Sequence, residues 1–250
     1  MQTVYDIFRE IDQIAPFELA MGFDNCGLLV GSKKQVVRNC ILALDITNEV
    51  IAYAVQHHAQ LIIAHHPIIF HPVKSVMDDN LVFQLIKNDI SVISAHTNLD
   101  IADGGVNDVL AELIGLENIT VFEGCDGAGR IGTLKTEMTG KELAQFAKKV
   151  FRAKGVTVTC ADKLIKTVAV SSGAGGDYLE AAIRANADAF ITGEARHHNL
   201  IGAINANVSL INAGHYYSEA PVLYRLQKKL QAAFSEIQFN VYDEFDIEEV

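Results

Sequence analysis

The chain has 250 residues, 50% of them hydrophobic and 20% charged, which is enough apolar material for one large or two modest domains and excludes a disordered protein. A formal charge of −11 argues against a broad nucleic-acid-binding face, while leaving room for a local cationic site built by bound metal ions. Cys26, Cys40, Cys125 and Cys160 form no Cys-x-x-Cys and no zinc-like spacing, so free thiols in a reducing cytosol are the simplest account. Residues 1–15 carry Asp6, Glu10 and Asp12 within an apolar helical pattern, unlike a signal or transit sequence, and no apolar run approaches membrane-spanning length. A cytoplasmic protein is expected.

Val4, Ile7, Phe8, Ile11 and Ile14 recur at helical spacing, and Pro16 closes that first amphipathic helix. Residues 22–31 read as a turn feeding a short strand, with Asp24-Asn25 as turn chemistry that can also reach a site. Residues 40–44 predict a strand, 47–58 a helix capped by Thr47 or Asn48, and 61–64 a second strand, a β-α-β unit. His57 and His58 fall at the helix end, where imidazoles meet open carbonyls. The apolar run 61–64 stops at His65-His66-Pro67. Pro67 has no N–H to donate, so both histidines fall at the C-terminal end of the strand, where open α/β sheets bind ligands. Side chains alternate along a strand, so the two should diverge and suit two metal ions better than one. The plainer alternative is a pair of polar residues capping a strand.

A helix over 81–88 and a strand over 90–95 follow, the strand ending in His96-Thr97-Asn98-Leu99-Asp100. After a helix over 107–114, the glycine-rich stretch 123–129 marks the expected boundary between a domain of residues 1–124 and one of 125–250. Beyond it come a strand over 132–136, a helix from 139 or 140 to 150 and a strand over 166–170. A helix over 178–186 then leads to a strand over 189–192 that ends in Gly193-Glu194-Ala195-Arg196-His197-His198. The segment Ala59–His66 is thus echoed by Ala187–Glu194, a weak internal duplication. A strand over 208–213 runs into Gly214-His215-Tyr216-Tyr217-Ser218-Glu219-Ala220-Pro221, and Ser218 can cap the helix that follows. A last strand over 237–241 leads into an acidic tail. The expected fold class is α/β: two similar α/β domains with mostly parallel sheets and helices on their faces.

Three strand ends therefore carry residues of metal-binding type: His65-His66, His96 with Asp100, and His215 with Glu219. Three of these four histidines with the two carboxylates can hold two first-row divalent ions with positions left for water, although strand-end histidines also make plain hydrogen bonds. The motifs Asp24-Asn25-Cys26-Gly27-Leu28, Ala64-His65-His66-Pro67, Asn98-Leu99-Asp100, Thr192-Gly193-Glu194 and Gly214-His215-Tyr216-Tyr217-Ser218-Glu219 resemble, in order and along almost the whole chain, those of the dinuclear metal-centre family known as GTP cyclohydrolase 1 type 2 homologues. The resemblance implies His65, His66, Asp100, His215 and Glu219 as ligands of two divalent metal ions, with zinc, manganese, iron and nickel not distinguishable. His96 is kept as a residue orienting Asp100 or a substrate. The His215/Glu219 segment of the second domain is expected to return to the metal site of the first, and the resemblance implies that the chain assembles as a homo-oligomeric ring, commonly a hexamer. This chain resembles the shorter members, which lack a domain inserted mid-chain.

Two weaker signals stand beside these. Ser171 to Asp177 has three glycines before a helix, a tight turn that can also cradle a phosphate. Glu194, His197 and His198 sit where the first half has its histidine pair. The expected function is a metal-dependent hydrolase acting on a small molecule, with His96, Glu194 and His198 handling protons. The resemblance names GTP as the substrate and ring opening with formate release as the reaction. A dinuclear phosphoesterase and a non-catalytic, ring-forming metal protein are the alternatives.

Overall fold

The computed structural model describes residues 1–244; the acidic tail beyond them lies outside the described residues. The first helix, α1 (Val4–Ile14), is closed at its N-terminus by a capping box between Thr3 and Asp6, and it buries Val4, Ile7 and Ile11. β1 (Gly27–Val30), β2 (Asn39–Ala43), α2 (Asn48–Gln56), β3 (Leu61–Ala64), α3 (Leu81–Lys87) and β4 (Ser91–Ser94) follow, then a five-residue helix, α4 (Thr97–Ile101). All four residues of the apolar β3 are buried, as are all four of β4, Ser91 and Ser94 among them, which is the burial of strands covered on both faces.

The chain then forms α5 (Val106–Ile114), β5 (Leu116–Thr120), β6 (Arg130–Thr139), α6 (Gly140–Val150), β7 (Thr157–Val158), β8 (Leu164–Ser171), α7 (Leu179–Arg184), β9 (Ala189–Thr192), α8 (His197–Asn205), β10 (Ser209–Asn212) and the short α9 (His215–Glu219). After them α10 (Pro221–Ala233) leads to β11 (Gln238–Val241). β11 pairs in parallel with β2, so the last strand completes the sheet begun by the first residues.

Two compact units result, residues 1–103 with 222–244 and residues 104–221. The glycine-rich stretch 123–129, read from sequence as a boundary, lies within the second unit. It is a packed turn rather than a linker: Phe122 and Cys125 are buried, Cys125 Sγ donates to the Phe122 carbonyl, and a Cβ at Gly129 would stand 2.5 Å from the Phe122 ring.

The first sheet has the order β1-β4-β3-β2-β11 and is parallel except for β1, which runs antiparallel to β4 at one edge. The second has the order β5-β6-β8-β9-β10-β7. Its centre, β8-β9-β10, is parallel, but β5, β6 and β7 add antiparallel pairings on both sides. The mixed α/β architecture with two sheets is the expected class, and parallel pairing dominates only the first sheet. β3 and β9, the strands matched in the internal duplication, are each the middle strand of three in-register parallel strands. Among the described residues no helix is long and apolar enough to cross a membrane.

Candidate metal centre

Register explains why ligand-type residues gather at the edge of the first sheet. Ala43 pairs with Ala64, and Ala64 with Ser94, so β2, β3 and β4 end level. Asp45, His65-His66 and His96 leave the sheet there, and backbone bonds from His65 N to Ala43 O and from His66 N to Leu44 O extend the ladder past the strands. His65 is buried, and its Nδ1 lies 2.8 Å from the Ala95 carbonyl. A carbonyl only accepts, so Nδ1 carries the proton and Nε2 is the lone-pair nitrogen of the neutral ring. That Nε2 stands 3.5 Å from Asp100 Oδ1 on α4. His66 Nδ1 bonds to Asp45 Oδ1 at 2.7 Å, and His96 Nδ1 to Asp24 Oδ1 at 3.0 Å. One ring nitrogen from each of His65, His66 and His96 lies within 4.8 Å of the others. The expected divergence of His65 and His66 does not occur, and their ring centroids are 5.1 Å apart. β3 has ended at Ala64, so strand alternation no longer governs the pair.

Asp24 fixes this cluster from the other side. Its carboxylate accepts from His96, from Thr97 N at 3.1 Å and Oγ1 at 2.5 Å, and from Cys26 Sγ at 3.1 Å. Burial opposes its ionisation, but the bonds from His96, Thr97 and Cys26 outweigh that and hold the carboxyl far below the ordinary carboxylate range. Burial, with the Asp24 carboxylate beside it, pushes the Cys26 thiol up to about 12. Cys26 is thus held as a thiol that donates to Asp24.

The second sheet repeats the arrangement with other means. Ser171, Thr192 and Asn212 are in register, and the residues beyond them leave one edge. His215, at the start of α9, bonds through Nδ1 to Glu194 Oε1 at 3.0 Å and meets Glu219 Oε2 at 3.1 Å through Nε2. Glu219 is buried one helical turn on. Backbone without side chains makes this room. Gly173 has φ +54°, and a Cβ there would collide with Glu219 Oε1; a Cβ at Gly193 would lie 2.6 Å from Ser218 Oγ. Ser218, expected as a helix cap, instead sits inside α9, where its Oγ accepts from Gly173 N and donates to the His215 carbonyl.

Within the first unit, then, the fold gathers His65, His66, His96 and Asp100, and within the second His215, Glu219 and Glu194. His198 is exposed in the first turn of α8, and among the described residues no hydrogen bond or ion pair holds it. The phosphate-cradle reading of 171–177 loses three of its donors, since Ser172 N bonds to Asn107 Oδ1, Gly173 N to Ser218 and Gly176 N to the Glu194 carbonyl. Sequence reasoning underrated Asp24, read first as turn chemistry, and gave Asp45 no site role. Both are acids at or next to a strand end, but only the folded register shows which histidine each one meets.

In all four histidines Nδ1 is engaged by a carbonyl or a carboxylate, the arrangement that orients imidazoles toward a metal. Imidazole and carboxylate donors without thiolate suit first-row divalent ions. Fold and site thus define a mixed α/β protein with histidine–carboxylate groups able to hold metal. Residues 2–246 match the family model described as Duf34/NIF3 (NGG1p interacting factor 3), and the chain belongs to that family. A Clostridium perfringens relative, named GTP cyclohydrolase 1 type 2 homolog, is 35% identical over 250 residues, spanning 96% of this chain and 95% of its own. Among solved structures, the Staphylococcus aureus hypothetical protein SA1388 superposes with a TM-score of 0.92 at 26% identity, covering 99% of both chains. Reduced HcgD from Methanocaldococcus jannaschii gives 0.85 at 28% identity, covering 97% of this chain and 98% of its own.

Proposed function

We propose that the protein is a metal-dependent hydrolase whose His65, His66, Asp100, His215 and Glu219 are the ligands of two divalent ions. The observation that carries this reading is the shared state of the histidines: each ring is turned by an acceptor at Nδ1, namely Ala95 O, Asp45 or Glu194, so that Nε2 would be the nitrogen offered to a metal. Zinc, manganese, iron and nickel all suit the donors. When bound, such ions lower the pKa of water and stabilise charge developing on oxygen.

The chain's own residues then orient and move protons. Asp24 holds His96 by Nδ1, which presents the other ring nitrogen as a proton carrier beside His65 and His66. Glu194 steadies His215 and is exposed enough to exchange protons with solvent, and His198 serves as an outer, solvent-facing proton carrier. We take the substrate to be a small molecule, GTP in keeping with the family resemblance and the name of the Clostridium relative, with ring opening and formate release as the reaction. We further place the chain in a homo-oligomeric ring, a hexamer.

The test is formate release from GTP by metal-reconstituted protein, run beside His65→Ala and a phosphate-release assay. Formate that vanishes in the variant supports the reading. Phosphate without formate would replace ring opening with phosphoester hydrolysis. Neither product, with metal still bound, would favour a non-catalytic metal protein.

A further inference from the structure

Two exposed aromatic side chains stand beside the histidine cluster of the first unit. Phe23 is 64% and Phe70 is 40% exposed. Their ring centroids lie 6.3 Å apart with planes tilted by 50°, so neither ring covers the other. Phe70 meets the His96 ring edge-on, at 6.5 Å and 75°, and His71 continues the row at 5.1 Å from Phe70.

The loops that carry the two rings are pinned. Asn25 Nδ2 donates to the Ile69 carbonyl at 2.6 Å, a bond two residues from Phe23 and one from Phe70. Ile68 and Ile69 pack on the first unit's core, and Asp24 ties the other loop to His96 and Thr97. Exposed aromatic rings on fixed loops lose little freedom when a ligand lands on them, which is the property of a stacking surface.

We infer that Phe23 and Phe70 form a stacking platform for the planar heteroaromatic ring of the substrate, a nucleobase, set beside His96. The inference rests on the hydrolase reading for its substrate class. A base fits better than an apolar segment of a second copy of this chain, because the row ends in imidazoles. Those rings can hydrogen-bond the polar edge of a heterocycle, an edge that a hydrocarbon side chain does not have.

Calorimetric titration of the full-length protein with GTP and with inorganic triphosphate tests this, in metal-loaded and metal-free samples of known metal content. GTP should bind more tightly than triphosphate to the wild type. Phe70→Ala should weaken GTP about tenfold or more and leave triphosphate unchanged. Phe70→Trp should keep GTP affinity, and Phe70→Leu, apolar but without a ring, should not. Phe23→Ala should act in the same direction as Phe70→Ala. Equal affinity for GTP and triphosphate in the wild type, equal weakening of both by Phe70→Ala, or full GTP affinity in Phe70→Leu would overturn the platform. So would a Phe70→Ala protein that changes its oligomeric state in light scattering but not its GTP affinity. Failure of the wild type to take up metal would sink the hydrolase reading instead, and the GTP–triphosphate difference in metal-free protein would still decide the platform.

Discussion

In the first unit the histidines are placed by what their side chains bond to, whereas in the second, where His215 has the same support from Glu194, its partner Glu219 is placed by what its neighbours lack. His65, His66 and His96 each carry an acceptor on Nδ1 and could tolerate small shifts in backbone without losing their aim. Glu219 is buried against Gly173, and Gly173 and Gly193 leave no space for even a methyl group. The difference teaches that one kind of site can be secured by hydrogen bonds at the back of each ligand, or by backbone packed so tightly that only glycine fits. The first should break by degrees and the second all at once.

The largest effect is expected from His65→Ala, which removes a buried imidazole and leaves Asp100 without its histidine neighbour. Metal retention after dialysis should fall by more than about 100-fold, since loss of a ligand exceeds the 10- to 100-fold typical of losing a ligand's supporting partner. Gly173→Ala should come next. Its positive φ and the collision with Glu219 should together cost about 3 kcal/mol in urea unfolding of metal-free protein. Metal affinity should fall with it, and a Gly173→Ala protein of unchanged stability would mean that Glu219 moves aside easily.

Asp24→Asn tests the graded half of the comparison. The fold should survive, with metal affinity reduced about 10- to 100-fold, because His96 loses its carboxylate while the oxygen of the substituted amide can still accept from Thr97. The same variant gives a pH signature in metal-free protein. Asp24 has a folded-state pKa depressed below its ordinary value of 3.8, so its stabilisation is complete above that value and is lost as pH falls through the lower folded-state value. The wild-type advantage over Asp24→Asn should be level near neutrality and shrink below about pH 4 in acid unfolding curves. An advantage that grew on acidification would contradict the sign. Asp45→Asn should have the smallest effect, a few-fold loss of metal affinity, because Asp45 is exposed and solvent screens its bond to His66.

The parts of the fold legible in the sequence were those with continuous apolar runs. β3, β4, β9 and β10 read directly because each is short, apolar and ends in polar chemistry. α4 was hidden, since its buried residues Thr97, Asn98 and Asp100 are polar and five residues make no periodic pattern. The two-residue β7 carries too little signal to notice, and the antiparallel flanks of the second sheet follow from pairings that no local pattern fixes. At the site, the ligand types and their strand-end positions were visible. Their supports were not, because Asp24 meets His96 across 72 residues and Asp45 meets His66 across 21. The near approach of His65 and His66 was hidden for a related reason: the sequence shows where apolar character stops, not how the chain bends after it.

The central proposal is that both sets, differently secured, are metal ligands and that the chain takes two divalent ions, and metal content per chain tests it most directly. After reconstitution and removal of excess metal, elemental analysis should find two divalent ions per wild-type chain. His65→Ala and Glu219→Gln, altering opposite sets, should each lose metal. Two ions retained in either variant, or one or none in the folded wild type, would contradict the account.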